Sequence, residues 1–146
     1  MNTAPDPRDF NHAMHFGDGK RELPSNVEAE QALLGAVLVN NQAFGNLPLG
    51  LEPKHFFEPL HRAVYEAAAE LIKAGKVANP VTIKPMLPTG MVGDMTTSQY
   101  VARLCIEAVS IVNAPDYANV VMFYARRRAM ITVGEMAGDV GYASGD

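Results

Sequence analysis

Along this chain the apolar residues recur three and four positions apart, the period of helices with one face indoors, and nowhere do they alternate long enough to build a sheet. Pro24 stops any helix from crossing it. Ser25 can accept from the amide three residues on while Glu28 reaches back, a capping box that predicts a helix from Ser25 to Asn40. From Ala32 to Val39 every residue is apolar or glycine, so this half is expected to be buried on most sides. Gly35 in its middle costs about 1 kcal/mol against alanine, which implies the close approach of another helix. Asn41–Leu47 can form a short helix before Pro48, and Glu52–Phe57 a turn that delivers Phe56 and Phe57 to the core.

The next helix is expected over Leu60–Lys73, with Leu60, Val64, Ala68, Leu71 and Ile72 on one stripe, Glu66, Glu70 and Lys73 outside it, and Gly75 as its stop. Pro85 and Pro88 limit Asn79–Pro88 to about one helical turn, and Thr89–Asp94 reads as a loop. Thr96 or Thr97 can cap a helix through Glu107 with Tyr100, Val101, Leu104 and Cys105 facing in. Asn113 is placed to cap a long final helix, with Pro115 in its first turn, Asp116 at the box position and Tyr117, Val120, Val121 and Tyr124 on its apolar face. That helix runs past Arg126, Arg127 and Arg128 towards Tyr142. The elements together predict an all-α fold.

Composition narrows the picture. The chain has 146 residues, 48% hydrophobic and 19% charged, enough for one cored domain. A net charge of −4 and only 8% aromatic residues argue against a dedicated nucleic-acid binder, which needs both charge and stacking platforms. The lone Cys105 forbids an internal disulfide and suits a reducing, cytoplasmic setting. No apolar run is long enough to cross a bilayer, and the N-terminus lacks a signal core.

Catalytic signatures are missing. Gly19-Lys20 and Gly75-Lys76 are followed by Arg21 and Val77, and Met14 and Glu70 stand where a phosphate-binding loop needs its first glycine. There is no Gly-x-Ser-x-Gly and no His-Glu-x-x-His. His12 and His15 have ligand-like spacing without a cysteine or carboxylate cluster to join them. Glu28 and Glu30 meet a helix dipole favourably, and His55 and His61 read as packing or surface histidines. Three successive arginines spread around a helix and read as a solvated segment, with Arg126 and Arg127 as contacts for an acidic partner or a nucleic-acid backbone.

One block is distinctive: Leu23-Pro24, two small polar residues, then Glu28-Ala29-Glu30-Gln31 and Leu33-Leu34-Gly35. It resembles the opening of the N-terminal domain of DnaB-type replicative DNA helicases. His55-Phe56-Phe57 with Pro59, His61, Arg62 and Tyr65 is similar to that family's aromatic segment and the helix after it. Gly75 with Val81-Thr82-Ile83, Gln99 to Leu104, and Asn113 to Ala118 followed by Tyr124 to Arg128 resemble later blocks, in the same order. The likeness runs from Leu23 to about Tyr142. The C-terminal region of primase has a related helical fold, and Glu28-Ala29-Glu30-Gln31 favours the helicase.

The resemblance implies a small orthogonal bundle of about six helices. Residues 1–22, with Asp, Asn, Gly, Pro and His and few apolar groups, read as a flexible leader; the resemblance would make 23–112 a helical head and 113–146 the first arm of a helical hairpin. It implies a homo-oligomer (a dimer, or a hexameric collar in the full-length protein) that receives the primase C-terminal domain and a helicase loader, meets DNA only through the full-length protein and has no membrane role. Tyr117, Val121, Tyr124, Arg128 and Ile131, at helical spacing, are the expected interface, though Tyr117 and Val121 serve equally well as core. No catalysis and no cofactor are expected in this chain; ATP and Mg²⁺ would belong to a RecA-like ATPase that lies outside these residues, as do the second hairpin helix and the linker. An excised domain or a truncated paralogue, a stand-alone collar-like regulator of a helicase, and a weak nucleic-acid-binding helical module are the readings this leaves. Two departures stand out: Pro85 and Pro88 interrupt a segment that is helical in typical members, and Met91–Asp94 lacks the family's Gly-Gly pair.

Overall fold

The structure, a computed structural model, describes residues 22–108 and 113–143. Helix α1 spans Val27–Val39. Its cap is Asn26, whose Oδ1 accepts the Ala29 amide at 2.9 Å, and not the Ser25–Glu28 box. Serine and asparagine cap about equally well, so the adjacent pair left the sequence no way to choose. Leu33, Leu34, Ala36 and Val37 are sealed from solvent, whereas Val39 is exposed. This helix is the hub of the domain, packing against α2 (Pro59–Lys73), α4 (Thr97–Ile106) and α5 (Ala114–Ala143). Gly35 is the point of closest approach: a Cβ there would collide with the main-chain carbonyl oxygen of Leu104 in α4.

Between α1 and α2 the chain makes two 3-10 turns, Asn41–Asn46 and Pro53–His55. Asn41 ties the first to a distant loop, donating from Nδ2 to the Val37 and Ala78 carbonyls and accepting the Ala78 amide. Phe56 is completely buried against Tyr65 of α2, ring centroids 5.0 Å apart. Helix α2 buries Val64 and Ala68 of its expected stripe, leaves Leu60, Leu71 and Ile72 partly buried against the core, and stops at Gly75 (φ +75°), where the Lys76 amide returns to the Leu71 carbonyl at 2.8 Å.

The proline-containing segment forms α3, Pro80–Ile83, capped by Asn79, then a 3-10 turn over Lys84–Met86. The expected loop after it is instead a two-stranded antiparallel hairpin, β1 (Met91–Val92) with β2 (Met95–Thr96), turning at Gly93 (φ +61°). Two-residue strands carry too little alternation to be seen in a sequence. Thr96, not Thr97, caps α4 in a capping box with Gln99.

Helix α5 is 30 residues long and starts directly after Asn113, whose carbonyl accepts the Tyr117 amide. Ala114, Ala118 and Val121 are buried against the head; from Ala129 to Gly141 every position is exposed. The fold is thus all-α apart from that hairpin: a compact helical head and a helix that outruns it.

Candidate functional site

Two features stand out from an ordinary apolar core: a sealed polar cluster inside the head, and the arm that leaves it.

The cluster joins three helices. Glu30 of α1, one turn in from the cap, is 1% exposed. Its carboxylate accepts from the Phe57 amide (2.8 Å), the Glu58 amide (3.4 Å) and His61 Nδ1 (2.8 Å). The other ring nitrogen of His61 lies 2.6 Å from the Tyr100 hydroxyl of α4, which also accepts from Gln31 Nε2 at 3.2 Å. With Nδ1 donating to Glu30, Nε2 is left to accept the Tyr100 proton, so the tautomer follows from the network. Burial drives the Tyr100 hydroxyl far above the usual tyrosine range, which keeps it a donor. Glu30 is therefore not a surface carboxylate serving a helix dipole, and His61 is neither surface nor merely packed. The sequence hint was the alignment of Glu30 with the inward face of α1, outweighed by its charge.

Glu58, at the start of α2, is 3% exposed and its Oε1 has no hydrogen-bond partner. Burial, then the neighbouring Glu30 carboxylate, push its pKa up from 4.5 to about 7, against a smaller downward pull from Arg62. The acid is held beside Glu30 by backbone, since Arg62 turns to donate to the Phe56 and Phe57 carbonyls. With His61, Glu30 and Tyr100 all at 1% exposure or less, no substrate reaches this cluster; its chemistry is to lock α1, α2 and α4 in register.

The segment 55–58 also receives α5. Arg128 donates to the Pro24 carbonyl (2.9 Å) and the His55 carbonyl (2.7 Å), with its guanidinium 5.4 Å from the centre of the Phe57 ring. Burial pulls the Arg128 pKa below its ordinary value, and the same effect lowers that of His55. Arg128 is an internal strut, unlike Arg126 and Arg127, which are exposed. Of the other residues singled out with it, Val121 is core, Tyr117 and Tyr124 are half-buried, and Ile131 is at the rim of exposure. All five lie on the side of α5 that turns to the head. The opposite side carries Phe123, Met130, Val133 and Ala137, each exposed. Met130, Val133 and Ala137, three and four apart, match the seam of a two-helix coiled coil, with Phe123 on the same side two turns earlier.

Among the described residues the remaining candidates carry no site. His12, His15 and Gly19-Lys20 lie outside the described residues. Lys76 follows the C-terminal end of α2, where helix carbonyls disfavour phosphate. Cys105 is half-buried and burial raises its thiol pKa, the setting of an inert core thiol. Among the described residues no group of three or more His, Cys, Asp or Glu could hold a metal, and no helix is long and apolar enough to cross a membrane.

Comparison with known proteins gives one consistent result. The family model described as "DnaB-like helicase N terminal domain" matches residues 22–122. The replicative DNA helicase DnaB of Rickettsia felis is 36% identical over 116 residues, 79% of this chain and 24% of that protein. The chain thus spans about a quarter of that relative's length. The crystal structure of the N-terminal domain of DnaB helicase from Mycobacterium tuberculosis superposes with a TM-score of 0.73 at 25% identity, covering 85% of this chain and 89% of that one. A DnaB-like replicative helicase, whose structure was described with its interactions with primase, shares the fold at a TM-score of 0.64 and 21% identity over 82% of this chain and 28% of its own.

Proposed function

The chain belongs to the DnaB-like helicase N-terminal domain family, and from that premise we propose that it is an assembly and docking domain of a replicative DNA helicase, working by association rather than by turnover. The observation that supports this best is the exposed apolar seam of α5, which has no role in the head's own core. Pairing of two such seams would bury Met130, Val133 and Ala137 between chains, with polar residues at the rim. Pairs of chains would then build the collar of a hexamer in the cytoplasm, offering a platform to the C-terminal domain of primase and to a helicase loader. The primase interaction described for the structural relative is consistent with that role. ATP hydrolysis with Mg²⁺, and the grip on DNA, would belong to the portion of such helicases that this chain does not span.

Sedimentation velocity tests the reading. The wild-type chain is expected to associate as concentration rises, and Val133→Asp with Ala137→Asp to lose the seam-dependent part of that association with an unchanged near-ultraviolet signature, since both positions are exposed. A wild type that stays monomeric at its highest soluble concentration, alone and with a primase C-terminal domain added, would refute it.

A further inference from the structure

A second surface on the head is shaped for contact. Between the 3-10 turn Asn41–Asn46, the loop that follows it and α2 lies a groove of about 600 Å³. Phe44 and Tyr65, ring centroids 6.0 Å apart, form its apolar floor, and Leu49 stands fully exposed on its lip. The α2 wall presents Glu66 and Glu70, one helical turn apart, an arrangement in which like charges repel. Arg62, one turn before Glu66, could relieve this but is committed to the Phe56 and Phe57 carbonyls. Glu52, on the far side, is already paired with Lys54 at 3.2 Å, and Lys73 leans over the Phe44 ring at 6.0 Å. Among the described residues no ion pair reaches Glu66 or Glu70.

The complement is carried by α5. Phe123 is 52% exposed. Arg127 lies along the Phe123 and Tyr124 rings, 5.9 and 6.0 Å from their centres, and Arg126 is exposed beside it. No carboxylate occurs three or four residues to either side of Arg126 or Arg127, so the helix itself offers these cations no partner. One surface is therefore apolar with two unpaired carboxylates, since Arg62 and Lys73 of the same helix are turned to the Phe56 and Phe57 carbonyls and to the Phe44 ring, and the other is aromatic and cationic with no carboxylate in reach along its helix.

We propose that the groove receives the Phe123–Arg127 segment of α5 from a second copy of the chain, the Phe123 ring on the Phe44–Tyr65 floor and the guanidiniums against Glu66 and Glu70. The contact rests on the self-association reading and extends it: the α5 seam joins two chains, and the groove joins one pair to the next.

Charge exchange provides the test, read by sedimentation at low salt. Glu66→Lys with Glu70→Lys, and separately Arg126→Glu with Arg127→Glu, are each expected to lose species larger than a pair. An equimolar mixture of the two variants, or one chain carrying all four changes, is expected to recover them, a result that mere destabilisation does not imitate. Repeating the set in chains carrying Val133→Asp and Ala137→Asp separates the two faces: the remaining association should follow the charge pattern with the seam removed. Unchanged association in the half-reversed chains, or a mixture that does not recover, overturns the groove contact whatever the seam does. So does a salt-dependent affinity for a single-stranded oligonucleotide that Arg126→Glu and Arg127→Glu abolish while the oligomers persist.

Discussion

His61 Nδ1 lies 2.8 Å from Glu30 Oε1, and neither side chain sees solvent. This bond, with the two amides of Phe57 and Glu58 that the same carboxylate accepts, makes Glu30 the acceptor on which the start of α2 closes. Glu30→Ala strips the acceptor from all three donors at once. Stability should fall by about 3–5 kcal/mol, the range for breaking a buried charged network; Glu30→Gln, which keeps one carbonyl, should lose about 1–3 kcal/mol. Urea midpoints measure both, and an alanine variant within about 1 kcal/mol of wild type would remove this role.

Glu58 gives the protein a pH signature. Its folded pKa, about 7, lies above the ordinary 4.5, so the folded state holds a proton that the unfolded chain releases. The resulting stability is complete below about pH 4.5 and is lost as pH rises through about 7, on the order of 3 kcal/mol in all. Glu58→Gln should flatten the pH dependence of stability over that window. The same slope in both proteins would place the effect on another group.

Gly35 should tolerate no side chain. In Gly35→Ala the new methyl meets the Leu104 carbonyl oxygen, main chain that yields only if α1 and α4 separate. A loss of about 2–3 kcal/mol is expected, as for an overpacked core. Gly45→Ala, with nothing within 4 Å of its Cβ, is the control and should be near neutral. Equal thermal shifts in the two variants would contradict the close packing.

Arg128 should behave unlike its neighbours. Arg128→Ala loses two charge-assisted bonds to carbonyls and the stacking on Phe57, for about 2–4 kcal/mol. Arg128→Lys should rescue little, because one ammonium cannot span both carbonyls while lying flat on the ring. Arg126→Ala and Arg127→Ala should each stay within about 0.5 kcal/mol of wild type. Thermal melts of the three alanine variants decide it; three equal shifts would mean that Arg128 is no strut.

Much of this architecture is legible in the sequence because it rests on periodicity and punctuation. The α2 stripe, its stop at Gly75, a threonine cap at Thr96 or Thr97 and the tight approach at Gly35 each follow from residues close together in the chain. What escapes is what depends on distant partners. A glutamate and a histidine 31 positions apart give no local sign that they bury one another. The two faces of α5 pose a related difficulty: Tyr117, Val121, Tyr124, Arg128 and Ile131 form a valid helical stripe, as do Phe123, Met130, Val133 and Ala137. Only the position of the head decides that the first stripe turns inward along the anchored half and leaves the second outward. The arginine triplet, alike in sequence, divides for the same reason.

Helix α5 ends in a stretch, Ala129 onward, that no core shelters. A lone helical stretch of that length is only marginally stable in water, so its backbone order should be set by company. Dilution ought to lower far-ultraviolet ellipticity and hasten amide exchange there while the head stays protected, and crowding ought to reverse both. Folding would thus finish in two instalments, the head on its own schedule and the arm when a sister chain arrives.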